Sequence, residues 1–182
     1  MIGFDTTVFP KLNFRSPDEF WGLIRDLKVF FDKSCKRLPD FAEKTSRFMA
    51  AFDKFDPFIQ SYTAEVCPCC ATVCCAMRHG IPEFADVVGF LAMGLDVPSY
   101  DLSLDINGRC QFMGQTGCML PRTQRPYRCT WYFCDPLLKQ IEIGPTLHYR
   151  AFIKDVEELA SARSGLMAAF YEVWLQKNED LS

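Results

Sequence analysis

The sequence predicts a mainly α fold, in which an N-terminal αα-hairpin and a long C-terminal helix support a loop-rich cap laced with cysteine. Three observations lead there. Apolar residues recur at helical spacing from Phe20 to Ile59 and again from Phe152 to Val173. Most of the ten cysteines fall between these two stretches. The second half of that middle region carries Gly, Pro and Arg with no sustained periodicity. A chain of 182 residues, 49% hydrophobic, can bury a real core and reads as one domain. Its parts are a helical segment at 1–62, the cysteine region at 63–138 and the C-terminal helix at 139–182.

Ser16-Pro17-Asp18-Glu19 reads as a capping box with proline at the first helical position. Phe20, Ile24, Leu27, Phe31 and Leu38 then mark one face, which places a helix to about Arg37. Cys35 lies beside that face and reads as a small core residue. Asp40 with Glu43 offers a second capping box, and Phe41, Phe48, Phe52, Phe55 and Ile59 repeat the apolar step. Pro57 is expected to end or kink this second helix near Phe55.

Pro82 to Gly94 reads as a short, mostly buried helix. Val97 to Phe112, with its turn at Ile106-Asn107-Gly108, reads as a small hairpin or extended segment that delivers Cys110. Gly114 to Pro136 reads as a loop that needs something to hold it. The last and longest helix spans about Thr146 to Gln176, with Arg163 the one polar intrusion on its stripe and Ser164-Gly165 a place where it could bend. It packs on the N-terminal hairpin, or alternatively forms a homodimer. His148, on this helix, reads as structural.

Charge and composition narrow the partners. A formal charge of -3 gives no electrostatic reason to expect nucleic acid. The N-terminal residues lack the pattern of a secretory signal, and no apolar run reaches the ~20 residues of a membrane span. The expected location is therefore cytoplasmic, with no membrane partner. Thiols stay reduced there, so clustered cysteines favour metal ligands or redox groups over structural disulfides.

The spacing favours metal. Cys67-x-x-Cys70, or the overlapping choice at Cys69, is a tight loop through which two thiolates grip one centre. Cys74 and Cys75 are adjacent, and on extended backbone their side chains diverge. Such a pair suits two centres, or one centre and a bystander. Cys110, Cys118, Cys129 and Cys134 lie where binding energy would supply folding energy. No lysine occurs between Lys54 and Lys139, yet Arg78, Arg109, Arg122, Arg125 and Arg128 fall among the cysteines, and guanidinium suits partly buried thiolate sites. His79 is an alternate ligand, as is Cys69. Disulfides and a redox-active thiol remain the competing readings. No phosphate loop, HExxH, nucleophile elbow or dinucleotide fingerprint is present, so nothing in the sequence specifies an enzyme.

The ordered pattern resembles the YkgJ family of cysteine-cluster proteins. The resemblance is carried by Cys67, Cys70, Cys74 and Cys75, then Gly108-Arg109-Cys110-Gln111-Phe112-Met113, Gly117-Cys118-Met119-Leu120 and Arg125-Pro126-Tyr127-Arg128-Cys129, with Cys134 closing the set. It covers roughly Val66 to Pro136. Two departures stand out: three residues separate Cys70 from Cys74, and Met119-Leu120 follows the Gly-Cys. The resemblance implies zinc or iron chelation, or an iron–sulfur centre of the [4Fe-4S] kind, at one or two sites, with Cys67, Cys70, Cys74, Cys75, Cys110, Cys118, Cys129 and Cys134 as ligands. The expected function is a metal-binding protein with a redox or accessory role and an unidentified protein partner. The alternative is a structural or transferable zinc site in a metal-handling or interaction module.

Overall fold

A computed structural model of the chain describes residues 9–35, 38–69 and 74–179, the last with side chains to 176. Its helices are α1 (Pro17–Phe30), α2 (Pro39–Val66), α3 (Met77–Gly80), α4 (Phe84–Ala92), α5 (Tyr127–Trp131), α6 (Asp135–Ile143) and α7 (Thr146–Glu179). One two-stranded antiparallel sheet joins β1 (Met113–Gly114) to β2 (Gly117–Cys118), with Met113 opposite Cys118. The mainly α architecture with a long C-terminal helix and a small hairpin is thus as the sequence predicts. Among the described residues no helix is long and apolar enough to cross a membrane.

The frame is α2 packed along α7. Phe55 and Phe58 stack on Phe152 with ring centroids 6.2 and 5.4 Å apart. Lys54 sits 2.7 Å from Asp155 and 2.8 Å from Glu158 at the edge of the same seam. Leu159, Leu166 and Phe170 of α7 are buried in this chain's own core, whereas Leu147 and Ile153 are exposed. α7 runs through Ser164-Gly165 without interruption. Further along, Phe170 and Trp174 meet Phe9, Phe30 and Phe84 in an aromatic cluster that brings α1, α4 and α7 together.

Several local expectations are corrected. Ser16 does precede α1, with Pro17 leading the helix, but its side chain makes no cap bond. Glu19, the other half of that box, instead accepts from Asn13 Nδ2 at 2.8 Å. α2 begins at Pro39 with Leu38 before it, which places Asp40 inside the first turn and not at the cap. α1 passes into one π-helical turn over Phe31–Cys35.

α2 also continues through Pro57 to Val66. The missing N–H and ring clash cost about 3 kcal/mol. Phe52, Phe55 and Ile59 are all buried around it, each worth roughly 1.5–3 kcal/mol, so tertiary packing outweighs the local penalty.

The region before Cys110 is not a hairpin. A turn closes with Gly108 N–H on the Asp105 carbonyl, and a single bridge pairs Ala76 with Arg109. The small hairpin lies one turn later and carries Cys118. The stretch expected as loop from Gly114 to Pro136 contains α5, and α6 follows before α7 begins.

Two residues fasten this cap to the frame. Arg122, 3% exposed, reaches Asp56 of α2 at 2.7 Å and Gln60 at 3.4 Å. Phe133 packs against both Phe55 and Phe152, edge-on to the latter at 5.0 Å. Because Cys134 follows Phe133 directly, this anchor also fixes that thiol.

Candidate functional site

The described cysteines sort cleanly by position. Cys35 is wholly buried in the core, as expected, where burial pushes its thiol up to about 12. Cys69 is exposed and is not among the residues that line the cavity below. Seven more, Cys67, Cys74, Cys75, Cys110, Cys118, Cys129 and Cys134, line one cavity of about 390 Å³. All seven are partly exposed, and none of the nine described cysteines is bonded to another in a disulfide. Cys70, the eighth expected ligand, lies outside the described residues.

Six separate pieces of local structure deliver the seven thiols. Cys67 follows the last turn of α2, and Cys134 stands at the N-terminal cap position of α6. Cys74 and Cys75 precede the Ala76–Arg109 bridge, where Cys110 N–H donates to the Cys75 carbonyl at 2.9 Å. Cys118 belongs to β2, and Cys129 lies in the middle of α5. The Cys129 thiol points to the His79 carbonyl at 3.3 Å.

Proton sharing is already present among these sulfurs. The Cys75 and Cys134 thiols both donate toward Cys74, whose pKa falls below the ordinary thiol value in consequence. Cys75 moves the opposite way, because its proton is held by Cys74 and burial disfavours its charge. Burial likewise raises Cys110, and takes Cys129 to about 12. A thiolate is the ligating form, so the donated protons favour that form at Cys74.

The rest of the wall is chosen for negative charge. Arg122, Arg125 and Arg128 line the cavity, while no Asp or Glu among the described residues does. Arg122 is held by Asp56, Arg128 by Glu83 at 3.0 Å, and Arg125 donates Nε–H to the Leu120 carbonyl at 2.9 Å. Met113, Trp131, Tyr132 and Leu137 supply apolar lining.

Gly80 also touches this space. A Cβ built there would stand 2.7 Å from Cys110 Sγ, so a side chain at 80 would occupy the sulfur's place. Seven sulfurs, three guanidiniums and a glycine cradle fit a thiolate-held metal group, for which soft donors select iron–sulfur clusters or zinc. Four sulfurs on one zinc would stand about 3.8 Å apart. Among the described residues no three His, Cys, Asp or Glu side chains are drawn together around a single ion.

His79 is placed beside the cavity but is otherwise engaged. Its Nε2 accepts from Arg78 Nε at 3.1 Å, which leaves Nδ1 to donate to the Cys74 carbonyl at 3.2 Å. It therefore orients the Cys74 backbone and has no ring nitrogen turned to the sulfurs. His148 is exposed near the start of α7.

Two residues that composition did not single out complete the surroundings. Tyr100 is 5% exposed, and its hydroxyl has no hydrogen-bond partner among the described residues. Gln111 clasps the backbone on either side of it, accepting from Asp101 N–H at 2.8 Å and donating to the Ser99 carbonyl at 2.7 Å. Its phenol lies within electrostatic reach of Asp86, Cys129, Cys110 and Cys118. Asp86, 6% exposed, receives Tyr127 N–H at 3.0 Å and so fixes the start of the helix that carries Cys129. The signal for Asp86 was available, as a lone carboxylate within an apolar helix. The signal for Tyr100 was not.

No family model matches this chain, and neither a curated protein nor a solved structure shows significant similarity to it.

Proposed function

We propose that this chain is a metal-binding protein whose clustered thiolates hold an iron–sulfur centre serving a redox or accessory role. The observation that carries the reading is the convergence of seven cysteines, from six separate pieces of backbone, on one cavity that no carboxylate of the described residues lines. The sequence pattern similar to the YkgJ family supports the same reading. Sulfurs spread around a chamber of about 390 Å³ suit a polynuclear centre, whose thiolates each bond a different iron, better than one ion.

Such a group supplies one-electron transfer when bound. The chain's own residues do the rest. The thiolates bind, and Arg122, Arg125 and Arg128 offset the surplus negative charge that many thiolates leave. Met113 and Leu137 exclude water, while half-exposed Trp131 and Tyr132 bring conjugated rings from the cavity to the surface.

Anaerobic purification followed by iron, zinc and acid-labile sulfide analysis, with a visible spectrum, tests this. The expected protein is brown and contains iron and sulfide. A colourless protein with stoichiometric zinc would overturn the iron–sulfur reading in favour of a zinc module, and a folded protein without metal would overturn both.

A further inference from the structure

Beside the cavity runs a strip of surface that neither the core nor the thiols account for. It starts at the turn before Cys110, where Ile106 is 46% exposed and its carbonyl accepts Arg78 N–H at 2.8 Å. The Arg78 guanidinium reaches Asn107 Oδ1 of the same turn at 3.0 Å and, through Nε, His79 Nε2 at 3.1 Å. The His79 ring in turn lies 6.4 Å from that of Tyr132. Trp131 precedes Tyr132, and the two are 48% and 50% exposed. The turn, α3 and α5 thus form one continuous strip, and its His79, Trp131 and Tyr132 also line the cavity.

Local structure explains why the rings are outside. α5 buries Thr130, and Phe133 goes to the seam of α2 and α7, so the two residues between them are left at the surface. Exposed large rings with arginine among them have the composition of a protein-binding centre. The charge is equally specific. Arg78 and Arg109 are both exposed and held by neutral acceptors, Arg109 through the Gly114 carbonyl at 3.0 Å. No carboxylate of the described residues forms an ion pair with either. The carboxylates around the strip are already engaged, Glu83 by Arg128 at 3.0 Å and Asp105 by Asn107 N–H at 3.0 Å. Fixed neutral oxygens orient the two guanidiniums and leave their charge to an incoming carboxylate, which their planar fork suits.

We propose that this strip is the docking surface for a protein partner that presents an acidic segment. Its carboxylates meet Arg78 and Arg109, and its apolar side chains cover Trp131, Tyr132 and Ile106. The inference names the partner class of the metal site proposed above and rests on that reading for what the contact serves. A partner seated here lies at the mouth of the cavity, against the two rings that lead out of it. Arginine beside exposed rings also suits single-stranded nucleic acid, but the formal charge of -3 opposes that partner.

The test is the binding of labelled probes to the full chain, both metal-free and loaded. The probes are a synthetic peptide in which pairs of glutamate alternate with phenylalanine, the same peptide with lysine for glutamate, and oligouridine. The acidic peptide is expected to bind, more weakly as salt rises, and the lysine peptide is not. R78E and W131A should each weaken binding by about 10-fold or more, while K33E, on the π-helical turn, leaves it unchanged. Circular dichroism checks that each variant is folded. The parent gives a second reading without substitution, because Trp131 is the exposed one of the three tryptophans and its emission should shift to the blue when covered. A parent that does not bind the acidic peptide overturns the inference, as does a folded R78E that binds it as well as the parent. Tighter binding of oligouridine overturns it in favour of a nucleic-acid surface. A parent that binds the acidic peptide but takes up neither iron nor zinc keeps the docking surface and refutes the metal reading, which is a distinguishable failure.

Discussion

The Arg163 guanidinium lies 3.6 Å from the Asp86 carboxylate and 4.4 Å above the ring of Tyr127. Arg163 is the polar intrusion on the stripe of α7, and Asp86 is a charge inside an apolar helix. Each is the other's explanation. Asp86 also accepts Glu83 N–H at 2.8 Å at the start of α4 and Tyr127 N–H at the start of α5. One carboxylate therefore ties α4, α5 and α7 together.

Removing it takes the carboxylate from the partly exposed Arg163 guanidinium and leaves two backbone donors unpaired. D86A is expected to cost about 1–3 kcal/mol for each donor left unpaired, read in urea unfolding. The double variant D86A/R163M should lose clearly less than the sum of the two single changes, and strict additivity would show that the pair is not coupled.

The same residue predicts a pH dependence. Burial raises the Asp86 pKa above the usual 3.8, although Arg163 and the two N–H donors oppose the shift. A carboxyl held protonated more firmly in the folded chain contributes stability that is full below the unfolded value. That contribution is lost as pH rises through the folded value. The stability of the parent relative to D86N should accordingly decline as pH climbs from 3.8, with Glu83, Tyr100 and Cys129 nearby in both proteins. A difference independent of pH across that window would contradict this.

Gly80 offers a substitution outside the ligand set. G80A would place a Cβ at 2.7 Å from Cys110 Sγ and displace that sulfur. Metal affinity is expected to fall by about 10- to 100-fold, as for other changes that misplace a ligand without deleting it. G22A meets only the Arg25 guanidinium at 3.8 Å and should leave metal binding unchanged. Competition with a chelator measures both.

Tyr100 separates the metal-free and loaded states. An unpartnered buried hydroxyl costs about 1–3 kcal/mol, so Y100F should be neutral or stabilising without metal. With thiolates formed nearby, the hydroxyl gains acceptors, and the same substitution should then destabilise the loaded protein. Thermal unfolding in the two states reads the reversal. A gain of equal size in both would mean that the phenol never meets a sulfur.

Alkylation rates should follow exposure. Cys69 is expected to react with iodoacetamide first in the folded chain and Cys35 last, resolved by mass spectrometry. C35A should keep full metal content, whereas C129S should lose metal.

The helical frame was legible because its signals are periodic. Phe55, Phe152 and Phe170 lie on stripes long enough for spacing alone to place them in the core. Pro57 does not end α2, because the aromatic seam holds the helix together around it. The cap was harder. α5 is five residues long and rests on Asp86 and Phe133, partners far away in the chain, so no local pattern could announce it. The sequence marked the ligand residues by type and spacing, but their spatial grouping depends on α6 bringing Cys134 back to the end of α2.

The seam between α2 and α7 sets an order of events in biosynthesis. α7 follows every one of the ten cysteines in the chain, yet it is the main packing partner of the helix that ends at Cys67. A ribosome delivers all ten thiols before it delivers the helix along which α2 packs. Through that interval the sulfurs are open to oxidation and to stray metal, until α7 docks on α2.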